Sequence, residues 1–139
     1  MKRHPALEQL SRDHHQALVI AQRLKRADES NAAEARSAFL DYWENDGREH
    51  FREEEETLLP TFARFSDPNL PIIARVLIDH VTIRGFAAEL ANHSALDLLH
   101  RTGTELERHV RREERDLFPL LEQTIPGPEL VKLSTRLSG

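Results

Sequence analysis

The chain has 139 residues, the size of one domain with its own core, and 31% of them are charged while 39% are hydrophobic. It contains no cysteine, which excludes disulfides, thiolate metal sites and cysteine nucleophiles, and its net charge of −5 argues against nucleic acid as a partner. No apolar run reaches the roughly 20 residues that span a membrane, and we expect no signal peptide because the first five residues do not lead into an apolar segment. We therefore expect a cytoplasmic protein without a membrane partner.

Apolar residues at three- and four-residue steps, with few glycines and prolines, predict an all-α chain. The first helix is expected after Pro5, and the second is expected to kink or end at Pro60. Gly127 and Pro128 are expected to end the fourth helix, and a short C-terminal helix follows them. Three polar turns, at residues 28–31, 66–68 and 92–94, separate the four long helices.

Each of the four predicted helices has one histidine on its apolar face. These are His14, His50, His80 and His109. Two positions on neighbouring antiparallel helices lie level when the turn falls midway between them. The midpoints are residue 32, residue 65 and the bond between residues 94 and 95, and each falls at a polar turn. The sequence therefore predicts an up-and-down antiparallel four-helix bundle over about residues 5–124, within one domain that includes residues 125–139.

A repeat adds two glutamates to this level. Residues 50–60 and 109–119 match at six of eleven positions, and in each segment a glutamate, Glu54 or Glu113, follows the histidine by four residues and shares its helix face. The first and third helices match each other in the same register, which favours His14 over His15 as the inward histidine. His15 is left as an outer hydrogen-bond donor or a surface residue.

This set of side chains suits metal ions. Two unpaired carboxylates in a core cost several kcal/mol each or take up protons, whereas carboxylates bridge hard cations and imidazole binds iron, copper, nickel or zinc. If each of two ions takes two histidines and one oxygen from each glutamate, an octahedral ion keeps about two positions for a solvent bridge and an outside ligand. The predicted metal ligands are His14, His50, Glu54, His80, His109 and Glu113.

These residues resemble the hemerythrin-like, or HHE cation-binding, family over nearly all of residues 5–124. The resemblance rests on Asp13-His14, His50-Phe51-x-x-Glu54-Glu55, Leu59-Pro60, Asp79-His80, His109-x-x-x-Glu113-Glu114 and Leu117-Phe118-Pro119. It implies a hemerythrin-like bundle holding two iron ions, with two bridging carboxylates and an oxo or hydroxo bridge. Manganese or zinc stays open, because the ligand types also accept these metals.

The resemblance also implies a function. It points to binding, sensing or detoxification of dioxygen, peroxide or nitric oxide. Oxygen carriers of the family have a fifth histidine at the position of Arg84 in this chain. They also have an aspartate five residues after the last histidine, whereas here Glu113 follows His109 by four residues. The set is therefore similar to the four-His, two-Glu branch, and oxygen carriage is disfavoured. Whether the centre turns over as a di-iron oxidoreductase stays open, as does the oligomeric state.

Several alternatives accompany this reading. A metal-free helical interaction or signalling module, or a role in iron storage or iron–sulfur repair, remains open, although repair members carry a cysteine-bearing segment that this chain lacks. A ferritin-like centre needs Glu-x-x-His, which is absent, and a haem bundle leaves both glutamates unexplained. Of the nearby residues, 53–56 are expected to face solvent apart from Glu54. Trp43 is expected in the core, and Gly47 is expected to leave room beside the metals.

Overall fold

The computed structural model describes residues 3–137, and within that range the chain forms five helices and no strand. The helices are α1 (Pro5–Lys25), α2 (residues 32–63), α3 (Pro71–Leu90), α4 (residues 96–124) and α5 (Gly127–Leu137). The first four form the antiparallel up-and-down bundle, joined by turns where the polar segments predicted them, so the all-α fold and its short C-terminal helix are confirmed.

Prolines mark several of the helix boundaries. Pro5 and Pro71 occupy the first positions of α1 and α3, where the missing N–H has no partner to lose. Pro126 forces the preceding Ile125 into extended geometry, with φ −81° and ψ 125°, and α4 therefore ends at Thr124. Gly127 and Pro128 open α5, so the prediction that these two residues end the fourth helix was wrong.

Widened π-helical turns interrupt α2 and α4. Two of them lie in α2, at Trp43–Gly47 and Glu54–Leu58, and a third lies in α4, at Glu113–Leu117. In the second, the Leu59 N–H bonds back to the Glu54 carbonyl, five residues away, immediately before Pro60. The extra residue accommodates the missing donor, so α2 continues to Ala63 and Pro60 does not end it. Two of the widened turns begin at the predicted ligands Glu54 and Glu113.

Two apolar clusters lie on either side of the histidine level. One contains Leu24, Phe39 and Leu99, and the other contains Leu7 and Phe62. Helix α5 packs Leu130, Leu133 and Leu137 onto the second cluster and lies against α1 and the second widened turn of α2. Burying a leucine contributes about 1.5–3 kcal/mol, so the clusters clamp the helices above and below the polar layer.

Helices α1 and α4 approach each other closely at Gly103. A Cβ atom at Gly103 would lie 2.7 Å from the Ala21 carbonyl oxygen and 2.8 Å from Leu24 Cβ, so only glycine permits this packing. Among the described residues, none of the helices combines the length and apolar character needed to cross a bilayer.

Candidate metal centre

All six predicted ligands lie at one level in the core of the bundle, and none has more than 5% of its surface exposed. The rings of His14 and His50 are 4.9 Å apart between centroids, and those of His80 and His109 are separated by the same distance. The four imidazoles thus meet as the midpoints of the turns predicted. Helices α1 and α2 supply one pair, and α3 and α4 supply the other.

Glu54 reaches both pairs of histidines. Its Oε2 lies 3.1 Å from His50 Nε2, and its Oε1 lies 3.0 Å from His80 Nε2. The carboxylate is fully buried, and it therefore offers one oxygen to each pair.

Glu113 does the same from the opposite helix. Its Oε1 lies 2.8 Å from His14 Nε2, and its Oε2 lies 3.2 Å from His109 Nε2. Both glutamates have the geometry of bridging carboxylates, each spanning the space between the two histidine pairs.

The donor atoms divide into two groups that share both glutamates. One group contains His14, His50, Glu54 and Glu113, and the other contains His80, His109, Glu54 and Glu113. Within each group the donor atoms lie within 4.8 Å of one another. The arrangement could hold two ions, each with two nitrogen and two oxygen donors, and this donor chemistry suits iron, manganese or zinc.

Buried atoms without hydrogen bonds support this fit. Within the described chain, they include the Nε2 atoms of His50, His80 and His109, both oxygens of Glu54 and one oxygen of Glu113. Each of these nitrogens lies 3.0–3.2 Å from a glutamate oxygen but without the alignment of a hydrogen bond. These atoms face one another across the same small space, so a pair of cations there would satisfy all of them.

A second set of carboxylates surrounds the histidines. Each outer ring nitrogen, Nδ1, faces one of them: Glu114 at 2.6 Å from His14, Asp13 at 3.0 Å from His50, Glu55 at 2.6 Å from His80 and Asp79 at 3.0 Å from His109. An Nδ1–H that donates outward leaves the Nε2 lone pair pointing inward. This is the tautomer that binds a metal, and the outer carboxylates fix it.

The role of these outer carboxylates was missed in the sequence. The expectation that residues 53–56 face solvent apart from Glu54 was wrong for Glu55, which turns about 100° around α2 toward α3 and meets His80 and Arg84. The signal was present in the repeat: an aspartate precedes the histidine in α1 and α3, and a second glutamate follows the inner one in α2 and α4. Matching positions in the two halves make matching contacts.

The carboxylates also govern the charge of the histidines in the metal-free protein. Burial lowers the pKa of His109, but the Glu113 and Asp79 carboxylates outweigh it and raise that pKa to about 10. Burial also lowers the pKa of His80, but the Glu113 and Glu54 carboxylates outweigh it and raise that pKa to about 9. Burial alone would raise the pKa of Glu113, yet the facing imidazoles, His109 first, hold it well below its usual range. Metal ions must therefore displace protons from the imidazoles.

The neighbouring residues resolve the remaining expectations. His15 is exposed, whereas His14 is buried among the other site residues, which agrees with the choice between them. Trp43 is buried and packs edge-on against Phe51, with 5.2 Å between ring centroids, so its core role is confirmed. Gly47 does not leave room beside the metals. A Cβ there would lie 2.9 Å from Tyr42 Cε2, so an aromatic ring fills that space.

Aromatic rings pack against two of the histidines, and a cavity opens beside a third. Phe51 stacks on His80 at 3.8 Å between centroids, and Phe118 stacks on His14 at 5.3 Å. A cavity of about 180 Å³ opens beside His50, where Asp13 and Asn45 also line it. A larger cavity of about 450 Å³ between α1 and α2 does not include any of the six predicted ligands.

The comparison with protein-family models agrees with this geometry. A model described as "Hemerythrin HHE cation binding domain" matches residues 5–121, which is most of the chain and includes all six predicted ligands. The comparisons with curated proteins and with solved structures gave no match.

Proposed function

Because the chain belongs to the hemerythrin HHE cation-binding family, we propose that it holds two iron ions and uses them to bind, sense or detoxify a small ligand such as dioxygen, peroxide or nitric oxide. The observation that carries this proposal is the pair of buried donor groups that share both glutamates. A single structural ion would need only one group. Two groups with four protein donors each leave about two positions open on each octahedral ion.

Each residue has a distinct role in this proposal. His14 and His50 hold one ion, His80 and His109 hold the other, and Glu54 and Glu113 bridge them. The donors suit manganese and zinc as well, so the choice of iron rests on the family. The chain acts as a single domain, with α5 packed against α1 and α2.

When bound, two iron ions supply Lewis acidity and one-electron redox chemistry to a small ligand. The chain's own residues prepare the site for that chemistry. The outer carboxylates keep the four imidazoles oriented with Nε2 inward, and the stacked rings of Phe51 and Phe118 keep bulk water from two of them. The cavity beside His50 gives a small ligand a path from solvent to the core.

The first test is the metal content per chain, measured by elemental analysis of protein produced with added iron. We expect about two irons per chain, one for each donor group, and a sharp loss in the His109→Ala, Glu113→Ala double variant. His15→Ala is the matched control, since His15 is exposed beside a predicted ligand and should leave the metal content unchanged. A folded protein that takes up no iron after anaerobic reconstitution would overturn the proposal and leave a helical interaction module.

The second test concerns the small ligand. The reduced, iron-loaded protein should change its absorption spectrum when dioxygen, peroxide or nitric oxide is added, and the double variant should not. An iron-loaded protein that gives no spectral response to any of the three would limit the centre to a structural or storage role.

A further inference from the structure

The outer face of α3 is unusually apolar. Five residues lie exposed along it in a row that we call the outer stripe: Ala74, Ile78, Val81, Gly85 and Ala88. Six large hydrophobic side chains are exposed among the described residues. Three are on this helix, with Leu77 41%, Ile78 53% and Val81 71% exposed. An outward helix face normally carries charged or polar residues, so the composition of this stripe is unexplained within one chain.

The spacing of the stripe is that of a helix that packs against another helix. Its members follow one another at steps of four, three, four and three residues. This is the heptad pattern with which two helices interlock their side chains along a continuous seam. The inner face of α3 is already occupied, because Ile73, Val76 and Ile83 pack into the core. The outer stripe is therefore a second seam with no partner inside the described chain.

Gly85 identifies what kind of partner fits. A glycine in the middle of a helix costs about 0.5–1 kcal/mol relative to alanine. An added Cβ at Gly85 would meet nothing within 4 Å, unlike those at Gly47 and Gly103, where packing excludes any side chain. No contact within the chain requires glycine here. A helix from another molecule, approaching closely at this point, would require it.

We propose that two copies of the chain pair through α3, with the two helices antiparallel and a two-fold axis at Val81. In this register Val81 meets Val81 of the second copy, Ile78 faces Gly85 of the second copy, and Ala74 faces Ala88 of the second copy. The large Ile78 side chain then opposes Gly85, which has none, and by symmetry every contact except that between the two Val81 side chains on the axis occurs twice. The inference does not depend on the metal centre.

Charge supports the same orientation. Arg75 and Glu89 follow the first and last members of the stripe and flank the seam on the same side. Antiparallel pairing places Arg75 beside Glu89 of the second copy at both ends of the interface. Parallel pairing would separate these charges by about 20 Å along the axis and would set Gly85 against Gly85 of the second copy, leaving a gap. The Arg75 side chain is 51% exposed and its Nε is 3.8 Å from Asp79, too far for a hydrogen bond, so its other donors are free to pair across the interface.

The test is the mass of the full-length protein in solution, measured by sedimentation equilibrium from low micromolar to millimolar concentration. One pair of helices makes a small interface, so we expect a reversible dimer that approaches twice the 16.0 kDa chain mass at high concentration. Val81→Glu should give a monomer with an unchanged circular dichroism spectrum, since Val81 contributes little to the core. Val131→Glu is the control, because Val131 is 61% exposed on α5 and outside the seam.

Two further variants test the register. Glu89→Arg sets like charges against each other at both ends and should raise the dimer dissociation constant about tenfold, or 1.4 kcal/mol. Adding Arg75→Glu to the same chain should restore the dimer. Gly85→Leu should weaken the dimer while raising the thermal stability of the dilute monomer. A wild type that stays monomeric at every concentration, or a dimer that survives Val81→Glu, would overturn the proposal, and a failed rescue would overturn the antiparallel register.

Discussion

The two halves of this bundle have the same inner donors but different surroundings. On the first half, Asp13 faces His50 with its side chain 33% exposed, and Gln9 is its other hydrogen-bond partner. On the second half, the equivalent Asp79 faces His109 with only 1% exposed, and Arg112 forms an ion pair with it. One aspartate is thus held in a buried network, whereas its counterpart lies at the edge of solvent.

The ring contacts around the other two histidines are the same in both halves. Phe51 stacks on His80, and Arg84 lies over the Phe51 ring while it holds Glu55; Phe118 stacks on His14, and Arg3 lies over the Phe118 ring while it holds Glu114. The cavity that approaches the core opens on the first half, beside His50 and Asp13. The repeated motif therefore supplies equivalent donors and equivalent ring contacts, whereas the exposure of the aspartate and the cavity differ between the halves. In the proposed centre, the ion held by His14 and His50 would lie on the accessible side.

The largest expected effect separates the two aspartates. Asp79→Asn removes the charge that pairs with the partly buried Arg112. It leaves one amide oxygen to accept hydrogen bonds from both His109 and Arg112. We expect the metal-free protein to lose about 3 kcal/mol of its free energy of unfolding, the cost of breaking a buried ion pair. Asp13→Asn should cost less than about 1 kcal/mol, because solvent screens that side chain.

Urea denaturation of the two metal-free variants beside the wild type measures both values. Metal content provides a second readout, since the Asp79 variant should also load less iron than the Asp13 variant. Equal losses of stability at the two positions would show that the halves are equivalent in spite of their different burial.

A smaller effect should distinguish the two metal positions. Glu55→Gln weakens the support of His80, and Glu114→Gln weakens the support of His14; loss of such an outer partner typically lowers metal affinity about 10–100-fold. Anaerobic titration with ferrous iron should show one weakened ion per chain in each variant. The ion that remains in the Glu55 variant should be lost quickly to a chelator, because it lies on the accessible side.

In the Glu114 variant the remaining ion should be lost slowly, since it lies on the closed side. If each variant weakened both ions alike, the bridging glutamates would dominate binding and the difference between the halves would not extend to affinity.

Much of the fold and the inner site could be predicted because both depend on regular geometry. A constant rise per residue and three polar turns place His14, His50, His80 and His109 at one level, and a four-residue step places Glu54 and Glu113 beside them. Whether these six bind iron stays a prediction, because donor types alone do not select a metal.

The missed features depend on contacts between helices. Glu55 reaches His80 across 25 residues of sequence and Glu114 reaches His14 across 100, so no periodicity within one helix reveals them. Gly47 was misplaced for a different reason, because the Tyr42 side chain of the same helix occupies the space beside it. Of the two effects expected of Pro60, a kink or a helix end, the end does not occur, because a widened turn beside Glu54 accommodates the proline.

The smallest expected effect concerns access to the open half. Asn45→Trp places a large ring in the cavity beside His50, and we expect iron removal by a chelator to slow a few-fold while iron content stays the same. Thr104→Trp is the matched control, since it fills a separate cavity lined by Phe86 and His100, away from the donors. Stopped-flow absorbance of the iron-loaded protein measures the rates. Equal slowing by both tryptophans would mean that ions leave through general loosening of the bundle. Slowing by Asn45→Trp alone would place the exit path between α1 and α2, on the half where Asp13 is in contact with solvent.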